Sequence, residues 1–353
     1  MGGRREMEQI NFGKTKEGQE VMNYFITNSK GMKVGVTDYG ATVTSILITD
    51  KNGNQRDVVL GYDNVEGYQR GNSYFGATVG RNCNRIANAE VTLDGIVYKL
   101  EKNDNENNLH SASYGIDKKV WSVLSREENK IVFSCVSKDM EQDFPGNMQA
   151  QVLYEVTEEN ELIIKYHAVS DKTTVMNFTN HSYFNLGGHD SGDVLEHVLQ
   201  INASHYTPVC DSKSIPTGEI SAVEGTPFDF RKPKKIGKDI SEDFEQLKYG
   251  NGYDHNFALD KNGEDVEICA ECYCEKTGIQ MDVLTDLPGV QLYTANFVDG
   301  ENGKNNAIYY KRNAVCLETQ FYPNAANEDN FKKPIFKAGE PYDATTIYRF
   351  SIK

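Results

Sequence analysis

The segment QAQVLYEVTEENELIIKYHAV, residues 149–169, sets the architecture expected for the whole chain. Apolar side chains at 150, 152, 154 and 156 alternate with polar Gln149, Gln151 and Glu155, and a β-rich run, 162–169, follows Glu158-Glu159-Asn160. A period of two places alternate side chains on opposite faces of a strand, one buried and one facing water. The segment therefore predicts two antiparallel strands joined by a short turn.

A second hairpin is predicted over residues 91–100, where Asp94-Gly95 is the dipeptide that two-residue turns with positive φ prefer. One further segment, 236–247, has apolar residues at helical spacing and predicts a helix. Other short β-type runs recur between Gly, Asn and Asp turns, at 32–37, 42–49, 131–136, 266–274, 279–284, 290–296, 314–320 and 347–352.

Strands this numerous, without amphipathic helices between them, exclude a doubly wound α/β sheet and favour a sandwich or barrel. No Pro-, Ser- or Gln-rich linker and no fixed-period repeat divides the sequence. We therefore predict an all-β protein in which residues 11–353 form a single large antiparallel β-sandwich domain. Residues 1–10 are interpreted as an N-terminal leader that we expect to be flexible.

The composition narrows the classes of partner. The 353 residues carry 37 Lys and Arg against 52 Asp and Glu, a net charge of −15. Because binding to phosphate backbones needs clustered cations, we predict no nucleic-acid partner, and the acidic surface favours a neutral or cationic small molecule. The apolar runs are far shorter than the ~20 residues of a membrane span, which predicts no membrane partner. The charged start, residues 1–9, is not a signal-type leader, so we predict a cytoplasmic protein.

Seven cysteines, an odd number without a regular framework, are typical of reduced thiols. Cys269, Cys272 and Cys274 lie close together in the sequence, but no second pair at comparable spacing accompanies them as a zinc site would require. We interpret them as small apolar residues of a strand.

Four polar segments interrupt the strand pattern: 80–88, 107–110, 177–188 and 315–324. The Asn and Arg side chains of the first suit hydroxyl or carboxylate ligands, but they also suit turns and surface packing. His110 alone is equally compatible with a structural role. His181, between polar and aromatic neighbours, fits a proton carrier as well as a structural histidine in a sheet corner. Glu318 interrupts an apolar strand, where a carboxylate is costly unless it is paired or used.

Together with GYDHNF at 252–257, these segments resemble the aldose 1-epimerase (galactose mutarotase) family from about Asn11 onward. The motifs occur in the family's order: GRNCNRIANAEVTLDG at 80–95, NNLH at 107–110 with GIDKKVW at 115–121, TNHSYFNLGG at 179–188, GYDHNF, and LETQFYPNAAN at 317–327. The chain departs from the family pattern after His110, where Ser111-Ala112 replaces the usual two glycines.

The resemblance implies a galactose mutarotase-like supersandwich that interconverts the α and β anomers of free aldohexoses such as glucose or galactose. It implies Glu318 as the general base and His181 as the general acid. It implies no cofactor or metal, a monosaccharide substrate, and a monomer or homodimer. The implied substrate-binding residues are Asn84, Arg85, His110, Asp254 and Gln291.

Three other functions stay open on the sequence. A hexose 6-phosphate epimerase would need a cluster of cationic side chains around the phosphate, and the excess of acidic residues in the chain disfavours one. A glycoside hydrolase could use Asp254 and Glu318 as its carboxyl pair, but this reading leaves His181 without a role. A non-catalytic sugar-binding protein on the same scaffold would need no matched acid and base.

Overall fold

The chain is built from short strands, as its turn-rich sequence predicts. The computed structural model describes residues 7–353, so most of the predicted leader lies outside the described residues. The strands are β1 (Glu8–Lys14), β2 (Glu20–Thr27), β3 (Lys33–Thr37), β4 (Thr42–Thr49), β5 (Gln55–Asp57), β6 (Thr78–Val79), β7 (Arg85–Ile86), β8 (Glu90–Leu93), β9 (Ile96–Lys99), β10 (Asn108–Leu109), β11 (Ser122–Glu127), β12 (Lys130–Ser137), β13 (Met148–Val156), β14 (Glu161–Ser170), β15 (Thr174–Val175), β16 (Thr179–Asn180), β17 (Val198–Ile201), β18 (His205–Tyr206), β19 (Ser221–Ala222), β20 (Lys234–Lys235), β21 (Asp254–Ala258), β22 (Glu267–Cys274), β23 (Ile279–Thr285), β24 (Gly289–Tyr293), β25 (Asp299–Asn302), β26 (Ile308–Tyr310), β27 (Cys316–Gln320), β28 (Ile335–Phe336) and β29 (Tyr342–Ile352).

The helices are short. Two of those found between residues 7 and 353 are α-helices, α1 (Val65–Arg70) and α2 (Glu245–Gly250). The 3₁₀ helices are Ala87–Ala89, Ile116–Lys118, Glu141–Asp143 and Lys304–Asn306. None of the helices described between residues 7 and 353 has the length and apolarity that crossing a membrane requires.

The two predicted hairpins are confirmed. Strands β13 and β14 pair antiparallel, and every second residue of β13, from Met148 to Val156, is buried. Strands β8 and β9 also pair, and the intervening Asp94 and Gly95 have φ of 49° and 80°, as the turn requires. The eight other predicted strands are confirmed with modest shifts at their ends. Cys269, Cys272 and Cys274 are buried in β22, in agreement with their interpretation as strand residues.

The strands form a sandwich of antiparallel sheets. The nine-stranded sheet has the order β11-β12-β13-β14-β29-β23-β22-β17-β20, and a five-stranded sheet has the order β19-β18-β21-β24-β27. Strand β27 packs on β29, where the Thr319 and Thr346 hydroxyls lie 2.5 Å apart and the Tyr348 hydroxyl donates to the Leu317 carbonyl. A second five-stranded sheet, β1 to β5 in chain order, contributes to the same apolar core.

The predicted helix over 236–247 is wrong. Ile236, Ile240 and Leu247 are buried and Phe244 is half-buried. The backbone N–H groups of Ile236 and Gly237, however, donate to the carbonyls of His197 and Leu195. These long-range bonds replace the bonds within the segment that a helix needs. A single short helix, α2, begins only at Glu245.

Candidate active site

The register of three neighbouring strands gathers polar side chains on one face of the sheet. Gln291 of β24 lies opposite Asn256 of β21 and opposite Glu318 of β27. Asp254 precedes Asn256 by two residues, so its side chain points to the same face. The Gln291 amide donates to the Asp254 carboxylate at 2.7 Å. Residues far apart in the sequence therefore meet because of strand pairing.

The short β7–β10 pair supplies a second wall. Arg85 pairs with Leu109, which brings Asn84 beside His110. The Asn84 backbone N–H donates to His110 Nδ1 at 3.1 Å, and Arg85 donates to Asp104 at 2.7 Å. This ion pair leaves Arg85 at the cavity with its charge largely compensated.

His181 follows β16 and is held by its main chain. Its N–H donates to the Ala77 carbonyl at 2.9 Å, and its carbonyl accepts from the Gly76 N–H at 3.0 Å. Its Nε2 lies 3.4 Å from Glu318 Oε2, and the two residues are only 5% and 2% exposed. The imidazole and the carboxyl thus form a buried pair.

All seven residues singled out in the sequence line one cavity of about 430 Å³, within the size range of small-molecule sites. Sequence reasoning missed several other lining residues, which lie at the end of α1, at the end of β24, in β25 and in the loops beside them. They carry no local pattern, because the cavity is closed by chain segments that only the fold brings together. Among them are Arg70, Tyr74, Tyr293, Phe297, Asp299 and Glu301.

Burial shifts the titration of the pair in opposite directions. It lowers the pKa of His181 to about 4, and it raises the pKa of Glu318 well above the usual carboxyl value, with a further rise from nearby Asp254. Neither group therefore has its ordinary pKa in this cavity. One proton is shared by the pair, and the neutral arrangement, carboxylic acid beside neutral imidazole, is favoured.

The cluster of His110, His181 and Glu318 has the residue types of a metal site, with ligand atoms within 4.8 Å of one another. His110 does not fit this use. Because its Nδ1 accepts a backbone hydrogen bond, its Nε2 carries the proton of the neutral ring. Burial lowers the pKa of His110 and keeps the ring neutral, so Nε2 is a hydrogen-bond donor toward the cavity.

The polar segment 80–88 combines two roles. Arg85 lines the cavity, whereas Arg81 is completely buried. The Arg81 guanidinium donates to oxygens of Ser137, Lys138 and Pro145. Its remaining partners are the Gly146 carbonyl and the Thr174 hydroxyl. This arginine joins chain segments behind the site instead of facing a ligand.

The departure from the family pattern falls on a strained turn. His110, Ser111 and Ala112 have φ of 53°, 61° and 75°, the left-handed region that glycine adopts at lower cost. The Ser111 hydroxyl compensates for part of this strain. It accepts from the Asn82 N–H at 2.8 Å and donates to the Asn82 carbonyl at 3.1 Å.

We expect glycine substitutions at these two positions to have opposite effects. Ala112→Gly should raise the free energy of unfolding by up to about 1 kcal/mol, because it relieves the backbone strain. Ser111→Gly should lower it by about 1 kcal/mol, because the loss of the partner of two buried backbone groups of Asn82 outweighs the relief of strain at position 111. Urea denaturation of both variants measures the difference. Effects of the same sign would contradict this account of the turn.

The fold and the cavity together define a class of protein. An all-β sandwich with a deep polar cavity, and in it a buried carboxyl beside an imidazole, suits an enzyme that moves protons on a neutral, hydroxyl-rich ligand.

Comparisons with known proteins support this class of enzyme. The family model "Aldose 1-epimerase" matches residues 22–349. Galactose mutarotase from Bos taurus is 42% identical over 344 residues, 97% of each chain, and aldose 1-epimerase from Escherichia coli K12 is 36% identical over 336 residues, 95% of this chain and 96% of that one. The solved structure of an aldose epimerase homologue from C. elegans superposes with a TM-score of 0.86 at 30% identity, covering 94% of this chain and 99% of that one. The chain belongs to the aldose 1-epimerase family, and it is an aldose 1-epimerase, an isomerase.

Proposed function

We propose that Glu318 and His181 perform the proton transfers of anomer interconversion on free neutral aldohexoses such as glucose or galactose. The observation that carries this proposal is the buried pair of Glu318 and His181, 3.4 Å apart, at a cavity that every proposed sugar-binding residue also lines. Two groups that exchange one proton supply the base and the acid that the reaction needs.

Ring opening requires a proton to leave the C1 hydroxyl while the ring oxygen gains one. Glu318 takes the first proton as the carboxylate, and His181 gives the second as the imidazolium. The bond between C1 and the ring oxygen breaks, C1 becomes an aldehyde, and rotation about the C1–C2 bond presents its other face. Closure reverses both transfers, so the pair ends with the proton it began with.

The bound sugar favours the charged form of the pair. Glu318 Oε2 and His181 Nδ1 have no hydrogen-bond partner among residues 7–353. Sugar hydroxyls that hydrogen-bond the carboxylate and the imidazolium stabilise these charged forms. The shared proton then moves across the short gap without entering solvent.

The other predicted residues are proposed to bind the sugar hydroxyls. Asp254 can accept from two vicinal hydroxyls, and Asn84 and Gln291 offer amide groups. His110 offers its Nε2–H and Arg85 its remaining N–H groups, which suit negative charge developing at the C1 oxygen.

The charges around the cavity favour an uncharged substrate. Four carboxyl residues line it, against two arginines, and Arg85 is already paired with Asp104. A sugar phosphate would lack the cationic cup that it needs. The four are Asp254, Asp299, Glu301 and Glu318.

Polarimetry on freshly dissolved α-D-glucose and α-D-galactose tests the proposed substrates. We expect the chain to speed the approach to the equilibrium rotation without changing its final value. Glucose 6-phosphate, assayed under the same conditions, should have a much lower kcat/KM. If neither free sugar mutarotates faster than spontaneously while the phosphate does, the proposed substrate class is wrong.

We expect a bell-shaped dependence of kcat/KM on pH. The acidic limb should lie near pH 4, because below the lowered His181 pKa the pair takes a second proton and the base is lost. The basic limb should lie above the usual carboxyl range, because loss of the last proton from Glu318 removes the acid.

Polarimetry across pH, with circular dichroism confirming the fold at each point, measures the profile. The fold control is needed because burial also keeps His197 and His255 neutral, so stability falls as the pH drops below about 6.5. An acidic limb at about 6.5 in the folded enzyme, the ordinary imidazole value, would contradict the assignment.

Three sequence predictions stay predictions: a single domain over residues 11–353, a cytoplasmic location, and a monomer or homodimer. The described cysteines are all free thiols, which supports a reducing compartment.

A further inference from the structure

Hydrogen bonds from other residues between 7 and 353 do not fix the imidazole of His181. Its Nδ1 has no partner within the described part of the chain, and its Nε2 faces Glu318. A catalytic histidine is ordinarily held by a hydrogen bond to its second ring nitrogen, which fixes the tautomer and the direction of the ring. Contacts other than hydrogen bonds from neighbouring residues therefore bear on the orientation of this ring.

Aromatic rings surround this imidazole. The Tyr183 ring lies 5.0 Å away with its plane tilted by 13°, and the Tyr74 ring lies 6.0 Å away, tilted by 17°. The His110 ring meets it edge-on at 5.3 Å. Offset parallel stacking and edge-on contact are the preferred arrangements of such rings. Each of these contacts restricts rotation of the imidazole about the Cβ–Cγ bond of His181.

Tyr74 is itself fixed relative to His181. It occupies the left-handed region, with φ of 56°, and its carbonyl accepts from the Ala77 N–H. Residues 76 and 77 of the same turn hold the main chain of His181. The Tyr74 ring also packs on His110 at 4.8 Å, and the Lys118 ammonium lies 5.1 Å from its centre. One turn therefore positions both the Tyr74 ring and the main chain of His181.

We propose that Tyr74 is a positioning residue for mutarotation, whose ring, together with that of Tyr183, stacks on the imidazole of His181 and restricts its orientation. The proposal rests on the role of His181 as the acid. It predicts that the planar ring of Tyr74 is what matters, not the hydroxyl.

The test compares Tyr74→Leu with Tyr74→Phe. Removing the ring should lower kcat by about ten- to a hundredfold, because a misdirected acid loses its alignment with the ring oxygen. KM should change by less than about threefold, because the groups that bind the sugar stay in place. Tyr74→Phe should restore kcat to near the native value. Tyr98→Leu, on the β8–β9 hairpin outside the cavity, makes the same chemical change as a control.

Several outcomes would overturn the proposal. A raised KM with unchanged kcat in Tyr74→Leu would make Tyr74 a sugar contact. An equal loss in Tyr74→Phe would assign the effect to the hydroxyl. If Tyr74→Leu does not fold, Tyr74→Met, which fills similar space without a planar ring, carries the same test.

His181→Asn separates this proposal from the proposed chemistry. If His181→Asn retains activity, the acid assignment is wrong. If it loses activity while Tyr74→Leu keeps native kcat, only the positioning role is wrong.

Discussion

Glu318→Gln and His181→Asn should each lower kcat/KM for anomer interconversion by more than about a hundredfold. Glutamine keeps the size of the glutamate but cannot take the C1 hydroxyl proton, and asparagine cannot give a proton to the ring oxygen. The double variant should lose little more than either single one, because the two residues share one proton and act as a unit. Polarimetry on the preferred sugar measures all three.

Matched controls lie outside the cavity. Glu155→Gln on β13 and His167→Asn on β14 make the same chemical changes and should keep native activity. Thermal unfolding of each variant shows that the loss is not a loss of fold. Activity within about tenfold of native in a folded Glu318→Gln would contradict its assignment as the base.

Arg81→Leu should lower the free energy of unfolding by about 3–5 kcal/mol, the scale of a broken buried charge network. The guanidinium is fully buried, and its loss leaves several carbonyl oxygens, among them those of Ser137 and Gly146, without a donor. Leucine fills part of the space but supplies no N–H group. The urea midpoint of the variant measures the loss.

Arg81→Lys should give an intermediate loss, because an ammonium keeps the charge but cannot reproduce the planar set of donors. Arg126→Leu, an exposed arginine on β11, should change stability by less than about 0.5 kcal/mol. If Arg81→Leu were as stable as Arg126→Leu, the bonds of Arg81 would contribute nothing net to the fold.

Much of the fold could be predicted from the sequence, because alternation and turn chemistry are local. Strands β13 and β14 show the period of two, and Asp94-Gly95 has the conformation its turn requires. The helix predicted over 236–247 is wrong because the structure there depends on long-range contacts. The apolar spacing there matches a helix, but the N–H of Ile236 bonds to His197, a contact that no local pattern contains.

The candidate site, like the fold, could be predicted from the sequence only in part. Glu318 and His181 stood out because polar residues interrupt apolar strands, and the family resemblance assigned their roles. Their 3.4 Å separation and their shifted pKa values depend on burial and long-range packing, which sequence spacing does not encode. Tyr74 could not be predicted at all, because it lies in an ordinary loop and reaches His181 only through the turn at 76–77.

The position of β29 has a consequence for biosynthesis. This strand pairs with β14 on one side and β23 on the other, in the interior of the nine-stranded sheet. During translation, β14 and β23 leave the ribosome with unpaired edges until residues 342–352 follow, and such edges favour aggregation. Chaperone dependence should therefore peak late in synthesis, and a ribosome stalled before Tyr342 should expose a chain unable to close its largest sheet.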